Sequence, residues 1–285
     1  MQKKVLAVHD ISGVGRCSLT VALPVISVMG VETSVLPTAV LSTHTGGFSD
    51  YTFRDLTKDI LPMLKHWEIL NLKFDGIYTG YLASLAQVDM IKEVIAETKR
   101  ADTVVFIDPV MADHGKLYKN FDKKFVGKMR ELCQEANVIT PNITEACLLL
   151  DVPYQEPPYT PTFIADLVDG LGGFGVDIVC LTGVQFNDDE VGAAVQDTLT
   201  GETTYTMTSR IDQEFHGTGD LFSSILFGSL IADVPLPEAT RLAVDYTRAA
   251  IERTLEVPDV DVRFGVEFEP LLAPLGTEVA KLSRS

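Results

Sequence analysis

The feature that most constrains the fold is a rhythm of short apolar runs, each followed by a longer segment with helical spacing. Thr103–Val110 (TVVFIDPV) is β-branched and continuous rather than alternating, as a strand covered on both faces must be. Val5–Asp10, Thr33–Leu41, Gly76–Leu82, Asn137–Thr140 and Asp177–Thr182 have the same character. Between them lie helical segments over Ser18–Met29, over Arg54–Trp67, and from a Ser84-x-x-Gln87 capping box to about Arg100. Strands alternating with such helices predict βαβ units and a mainly parallel sheet. The rhythm breaks at Val191–Gln196 and Thr203–Thr208, joined by a loop containing Gly201; this predicts a hairpin and an antiparallel edge. Two helices are expected after it, Asp220–Ala232 and Pro237–Leu255, the second with an apolar stripe through Ala239, Leu242, Ala243, Tyr246 and Ala250. Pro153–Pro161 reads as a surface loop, because the same patterns resume beyond it. The expectation is a single α/β domain over residues 1–285.

Composition removes several function classes. With 23 Lys+Arg against 40 Asp+Glu, the net charge is −17, which disfavours nucleic acid and polybasic membrane binding. It does not disfavour an anionic small molecule, which backbone amides hold regardless of net charge. No apolar run approaches the ~18 residues of a membrane span, and the N-terminus reads as a first strand rather than a signal peptide. Cys17, Cys133, Cys147 and Cys180 are dispersed, which fits buried thiols in a reducing, cytoplasmic compartment.

Ligands of open α/β sheets gather outside the carboxyl ends of the strands. Those ends carry Asp10/Gly13/Gly15, His44/Thr45, Gly80/Tyr81, Asp108, Asn142/Glu145, Thr182/Gly183 and His216–Asp220. The strongest signal is His216-Gly217-Thr218-Gly219-Asp220 ahead of an almost wholly apolar helix. Small residues at a helix start let unpaired N–H groups face a phosphate or developing anion. A carboxylate beside them suits a general base that deprotonates a hydroxyl attacking phosphorus. The competing reading is a simple turn, with Asp220 favoured by the helix dipole. There is no Gly-x-x-x-x-Gly-Lys-[Ser/Thr] loop, and Ser18 stands where a dinucleotide fingerprint starting at Gly13 requires its third glycine.

Gly217-Thr218-Gly219-Asp220, Asp108-Pro109-Val110-Met111 and Thr140-Pro141-Asn142-x-x-Glu145 resemble the ribokinase-type superfamily. Within it, Ser42-Thr43-His44-Thr45-Gly46 and Thr79-Gly80-Tyr81 are similar to the pyridoxal kinase family. The resemblance implies a ribokinase-like three-layer α/β/α fold without a separate lid domain, and ATP-dependent phosphorylation of the 5′-hydroxyl of pyridoxal, pyridoxamine or pyridoxine. Carried over by position, Asp220 is the base, and Gly217, Thr218 and Gly219 form the anion hole. Asp10, His44, Thr45 and Tyr81 fall around the pyridine ring, and Thr140, Asn142 and Thr182 around the nucleotide. Asp108 and Glu145 are placed at Mg²⁺ beside the ATP phosphates, with a monovalent cation such as K⁺ as a further candidate. A homodimer is the implied assembly.

Each assignment has an alternative. Asn142 and Glu145 could form only a capping box, Asp108 could merely end a strand before proline, His44 and His216 could be packed or solvated histidines, and Tyr81 could belong to the core. Two departures from the family stand out. Asp10 replaces the usual Ser after the first strand, and an ionised Asp only accepts hydrogen bonds, which favours an amine or a protonated ring nitrogen. No cysteine follows Met111, so covalent capture of an aldehyde is not expected. Asp113–Asn120 is expected to form a flap, with Lys116 or Tyr118 approaching ATP. The rival functions are a hydroxymethylpyrimidine kinase of the same fold and a catalytically silent sensor of B6 vitamers or nucleotide.

Overall fold

The computed structural model describes residues 2–213 and 215–283. In chain order its elements are β1 (Lys4–Val14), α1 (Leu19–Val28), β2 (Glu32–Thr43), β3 (Phe53–Asp55), α2 (Thr57–Ile69), β4 (Phe74–Thr79), α3 (Leu85–Thr98), β5 (Lys99–Ile107), β6 (Ala112–Asp113), β7 (Lys116–Leu117), α4 (Lys123–Cys133), β8 (Val138–Ile139), α5 (Ile143–Leu150), α6 (Pro161–Gly172), β9 (Ile178–Val184), β10 (Glu190–Asp197), β11 (Glu202–Ser209), α7 (Thr218–Ile231), α8 (Leu236–Leu255) and α9 (Leu272–Leu282). Nine strands form one sheet in the order β11-β10-β9-β8-β5-β4-β1-β2-β3. The six from β9 to β2 run parallel, while β10 and β3 are antiparallel to their inner neighbours. This is the α/β architecture read from the sequence, with the hairpin at its expected edge.

Neighbouring residues of one strand enter opposite cores, as the two-residue repeat of a strand requires. Leu6, Val8, Val105 and Ile107 pack with residues of α2 to α6. Val5, Tyr78 and Phe106 pack with α1, α7, α8 and α9. Tyr78, Phe106 and Phe227 make a ring triangle in this second core, with centroids 5.1, 5.4 and 5.4 Å apart.

Several boundaries differ from the sequence reading. The strand expected to end at Asp10 continues to Val14, because a register shift between His9 and Ile11 lets it keep pairing with β2. The helix expected from Arg54 starts at Thr57. Phe53–Asp55 instead pairs with β2, and the Asp55 carboxylate accepts from the Thr57 N–H at 2.7 Å. The Ser84 hydroxyl caps α3, but the Gln87 carboxamide accepts from Ala83 N–H rather than Ser84 N–H. The helix expected from Asp220 begins two residues earlier, at Thr218. Asp113–Asn120 contributes to a small hairpin, β6–β7, which turns on His114 and Gly115, both with positive φ.

Candidate active site

Along the carboxyl edge of the sheet runs a cleft of about 750 Å³. Asp108, Thr140, Asn142, Glu145, Thr182 and Gly217–Asp220 all line it. The loop after β11 and the inner face of α8 close its far arm, through Thr208, Arg210, Val244 and Arg248.

Gly217 caps α7 in the left-handed region at φ 76°. A Cβ there would lie 2.0 Å from the Arg16 carbonyl oxygen, so the turn and its close approach both require glycine. Thr218, Gly219 and Asp220 then occupy the first turn of α7, where N–H groups have no acceptor within the helix.

Asp220 is half-buried, and its Oδ2 accepts from Ser18 N–H at 2.9 Å. The Ser18 hydroxyl donates to Asp10 Oδ1 at 2.7 Å. Ser18 therefore ties both carboxylates together, from a backbone with φ 50° that a non-glycine residue rarely adopts. Burial and the nearby Asp10 charge push Asp220 up to about 7, although Ser18 N–H opposes them. A helix N-terminus favours an ionised acid by only ~0.3–1 kcal/mol, so desolvation wins. Burial raises Asp10 as well, against the Ser18 hydroxyl.

Asp108 Oδ2 accepts from Ser223 Oγ at 3.0 Å, and Ser223 Oγ lies 3.3 Å from Thr140 Oγ1. Burial, followed by the Asp220 charge, pushes Asp108 up to about 8. Asn142 and Glu145 form a reciprocal capping box at α5. Glu145 does more than cap. Its Oε1 accepts from Met111 and Ala112 N–H at 3.0 and 3.4 Å, and its Oε2 accepts from Asn142 N–H at 2.9 Å. Asn142 Nδ2 donates to Ala112 O, and Gly115 N–H donates to Thr144 Oγ1. The start of α5 thus anchors the β6–β7 hairpin over the cleft. Tyr118, just beyond the hairpin, lines the cleft, while Lys116 does not. Burial, then the Asp108 charge, holds the Glu145 carboxyl well above the ordinary carboxylate range.

Asp10 lies within β1 just past its pairing with β4, and His44, Thr45 and Tyr81 follow the carboxyl ends of β2 and β4; none of the four lines the 750 Å³ cleft. Tyr81 feels the Asp10 charge and packs its ring 5.7 Å from Phe121. Thr45 is exposed. His44 Nε2 lies 2.5 Å from Arg263 O, and its Nδ1 accepts from Gly46 N–H at 3.1 Å. Both ring nitrogens are spent on backbone partners, which leaves the ring faces for other contacts.

Two serines were not singled out from the sequence. Ser18 carried no visible sign of its backbone strain. Ser223 did carry a signal, since it opens a pair of serines inside an otherwise apolar, buried helix.

Two carboxylates of the cleft lining, Asp108 and Glu145, are close enough for the Asp108 charge to raise the Glu145 carboxyl. Their hard oxygens and mutual repulsion suit a divalent cation. No group of three or more His, Cys, Asp or Glu that could hold a metal occurs among the described residues.

Residues 22–263 match the family model described as phosphomethylpyrimidine kinase. Among solved structures, a phosphomethylpyrimidine kinase-like protein of Bacteroides thetaiotaomicron, crystallised with pyridoxal, is 36% identical. It superposes with a TM-score of 0.92 over 96% of each chain. The pyridoxal kinase of Lactobacillus plantarum is 32% identical, with a TM-score of 0.89 over 98% of each chain. A curated relative, human pyridoxal kinase, is 26% identical over 92% of this chain and 88% of its own.

Proposed function

The chain belongs to the phosphomethylpyrimidine kinase family, and we propose that it transfers the γ-phosphoryl group of ATP to the 5′-hydroxyl of a B6 vitamer. The observation that carries this reading is Asp220 in the first turn of α7, pushed up to about 7 and held by Ser18 beside the Gly217–Gly219 amides. A base poised near the working pH is what deprotonation of an alcohol requires. The vitamer reading is further supported by the two relatives above 30% identity, one solved with pyridoxal and the other a pyridoxal kinase. Hydroxymethylpyrimidine kinase shares the fold, but neither of those relatives points to its substrate as strongly.

In this mechanism Ser18 N–H occupies Asp220 Oδ2, leaving Oδ1 to take the hydroxyl proton. The 5′-oxygen forms its bond to the γ-phosphorus as the bond to the bridging oxygen breaks, and ADP leaves with that electron pair. The N–H groups of Gly217, Thr218 and Gly219 meet the charge on the transferring phosphoryl oxygens, so the protein's work is positioning and charge stabilisation. Asp108 and Glu145 would hold Mg²⁺, whose chemistry is neutralisation of the triphosphate. Thr140, Asn142 and Thr182 face the nucleotide. Asp10, Tyr81 and the loop after β2 hold the ring, and the Asp10 carboxylate accepts from a protonated nitrogen of the vitamer.

The whole chain acts as one kinase domain, and a homodimer is the assembly that the family resemblance implies. The four buried, unpaired cysteines suit a cytoplasmic setting, and no described helix is long and apolar enough to cross a membrane. A coupled ADP-release assay with pyridoxal, pyridoxamine, pyridoxine and hydroxymethylpyrimidine tests the reading. Turnover of the vitamers is expected. Vitamer binding without turnover would mark a sensor, and turnover of the pyrimidine alone would reassign the substrate.

A further inference from the structure

The segment after α8 carries no motif, yet it forms the junction between the two halves of the site. Arg263 is held by Asp261, with Nε 2.9 Å from Oδ1 and Nη2 2.6 Å from Oδ2. Its Nη1 donates to Gly47 O at 3.2 Å, and its guanidinium lies 5.0 Å from the Phe48 ring centroid. The Arg263 carbonyl takes the His44 Nε2–H at 2.5 Å. Phe264 packs on Phe48 with centroids 5.0 Å apart.

On its other side the same segment grips the first loop. The Phe264 carbonyl accepts from Arg16 N–H at 2.9 Å, and Arg16 Nε donates to Glu269 at 2.7 Å. The Arg16 carbonyl is the atom against which Gly217 turns, and two residues on, Ser18 holds Asp220. The loop after β2 also meets His216, the residue that precedes Gly217–Gly219. The His44 and His216 rings lie 4.8 Å apart, and a Cβ at Gly46 would fall 2.5 Å from His216 Cε1. Residues 44–48, 261–264, 16–18 and 216–220 therefore form one continuous train of contacts, with Arg263 making three of its links.

We propose that Arg263 is a positioning residue for the acceptor: by clamping residues 44–48 it holds the vitamer side of the site closed against the start of α7 that carries Asp220. This rests on the reading of residues 44–48 as the acceptor side of a B6 vitamer kinase. Arg263 does not line the cleft, and the carboxylate it pairs with is Asp261 rather than Asp10, Asp108, Glu145 or Asp220, so it acts on vitamer affinity and not on the nucleotide.

The test is steady-state kinetics on Arg263→Ala, Arg263→Lys and Phe48→Leu, with Tm measured for each. Arg263→Ala removes a cation–π contact and a hydrogen bond to the loop, and an increase of about tenfold in vitamer KM is expected. The ATP KM and kcat should stay within about twofold, a split that a general loss of structure would not produce. Lysine keeps a cation over Phe48 and should give an intermediate KM. The Arg263→Ala/Phe48→Leu pair should be non-additive, because both act through one contact. A vitamer KM unchanged in Arg263→Ala, or vitamer and ATP KM rising together, overturns the proposal. Should Arg263→Ala fail to fold, Arg263→Lys and Phe48→Leu decide on the same criterion. Absence of vitamer turnover by the unmutated chain would overturn the kinase reading, and the clamp with it, before any variant is compared.

Discussion

Asp220→Asn separates chemistry from folding, because the two should move in opposite directions. The substitution is nearly isosteric, and the Asn carboxamide oxygen still accepts the Ser18 N–H that Asp220 Oδ2 accepts at 2.9 Å. Activity is lost because an amide takes no proton. Removal of a general base costs roughly 10²–10⁴-fold, so kcat should fall by at least about 100-fold. Stability changes through the proton balance. The carboxyl sits at 3.8 when free and is pushed up to about 7 in the fold, so over that interval the folded state binds more protons than the unfolded state. Stability contributed by the protonated carboxyl is therefore lost as pH rises from about 4 to 7, and the loss is complete above 7. Each tenfold change in proton affinity is worth about 1.4 kcal/mol, so the full displacement corresponds to roughly 4 kcal/mol. Water reaching the half-buried group relaxes part of it, and a gain of ~1–2 kcal/mol, or roughly 2–4 °C in Tm, is expected at pH 8. The gain should shrink as the pH is lowered to 5. For the unmutated enzyme, the same ionisation gives kcat/KM an acid limb that rises with pH toward about 7. Thermal scans at pH 5 and 8, with a pH–rate profile, check both halves. A variant equally stabilised or destabilised at the two pH values, or one that retains turnover, refutes the reasoning.

Three further outcomes follow from individual contacts. Gly217→Ala forces a side chain into φ 76° with its Cβ 2.0 Å from the Arg16 carbonyl; strain of ~1–2 kcal/mol before the clash should lower both Tm and kcat, and an unaltered kcat would remove Gly217 from the anion hole. Glu145→Gln turns an amide NH₂ toward one of the backbone N–H groups of Met111, Ala112 or Asn142; a loss of ~1–3 kcal/mol and a higher ATP KM are expected, whereas a change in vitamer KM alone would contradict the placement. Asp10→Ser, which replaces an acceptor-only group with one that also donates, should lower kcat/KM for pyridoxamine relative to pyridoxine; unchanged ratios in the ADP-release assay would rule out Asp10 as the reader of a protonated nitrogen.

What was legible in the sequence divides along physical lines. Continuous apolar runs such as Thr103–Val110 announced strands buried on both faces, and Gly217–Asp220 announced a helix start, because both are local patterns of composition. β3 was not legible. Phe53-Arg54-Asp55 has no strand pattern of its own and is exposed throughout, so it is a strand only because β2 lies beside it. The β6–β7 hairpin depends similarly on Glu145, Asn142 and Thr144, which lie about thirty residues away. The capping box at Asn142 and Glu145 was readable from spacing, but the second use of the Glu145 carboxylate as an anchor for that hairpin was not. Ser18 reads in the sequence only as a missing third glycine, because its role lies in a φ of 50° and a contact 202 residues distant.

The partners given to carboxylates in this chain separate those that hold structure from those available for chemistry. Asp261 is paired with the Arg263 guanidinium, which holds its carboxyl below the ordinary range. Such an acid stays ionised at any working pH and transfers no proton. Asp10, Asp108 and Asp220 are given hydroxyls or amide N–H groups instead, from Ser18 and Ser223. Those donors orient the carboxylates without neutralising them, so burial dominates and all three are raised. An arginine at position 18 would pair with Asp220 and, by the same interaction, remove the proton affinity that the proposed mechanism asks of it. Pairing these acids with serines rather than with a guanidinium therefore suits the proposed mechanism. In the proposed mechanism their charge is left for ligand protons and a divalent cation to complete, while the phosphoryl group meets backbone N–H groups at the start of α7. A chain of net charge −17 can accept an anionic donor on these terms, because neither partner in the reaction depends on a basic surface.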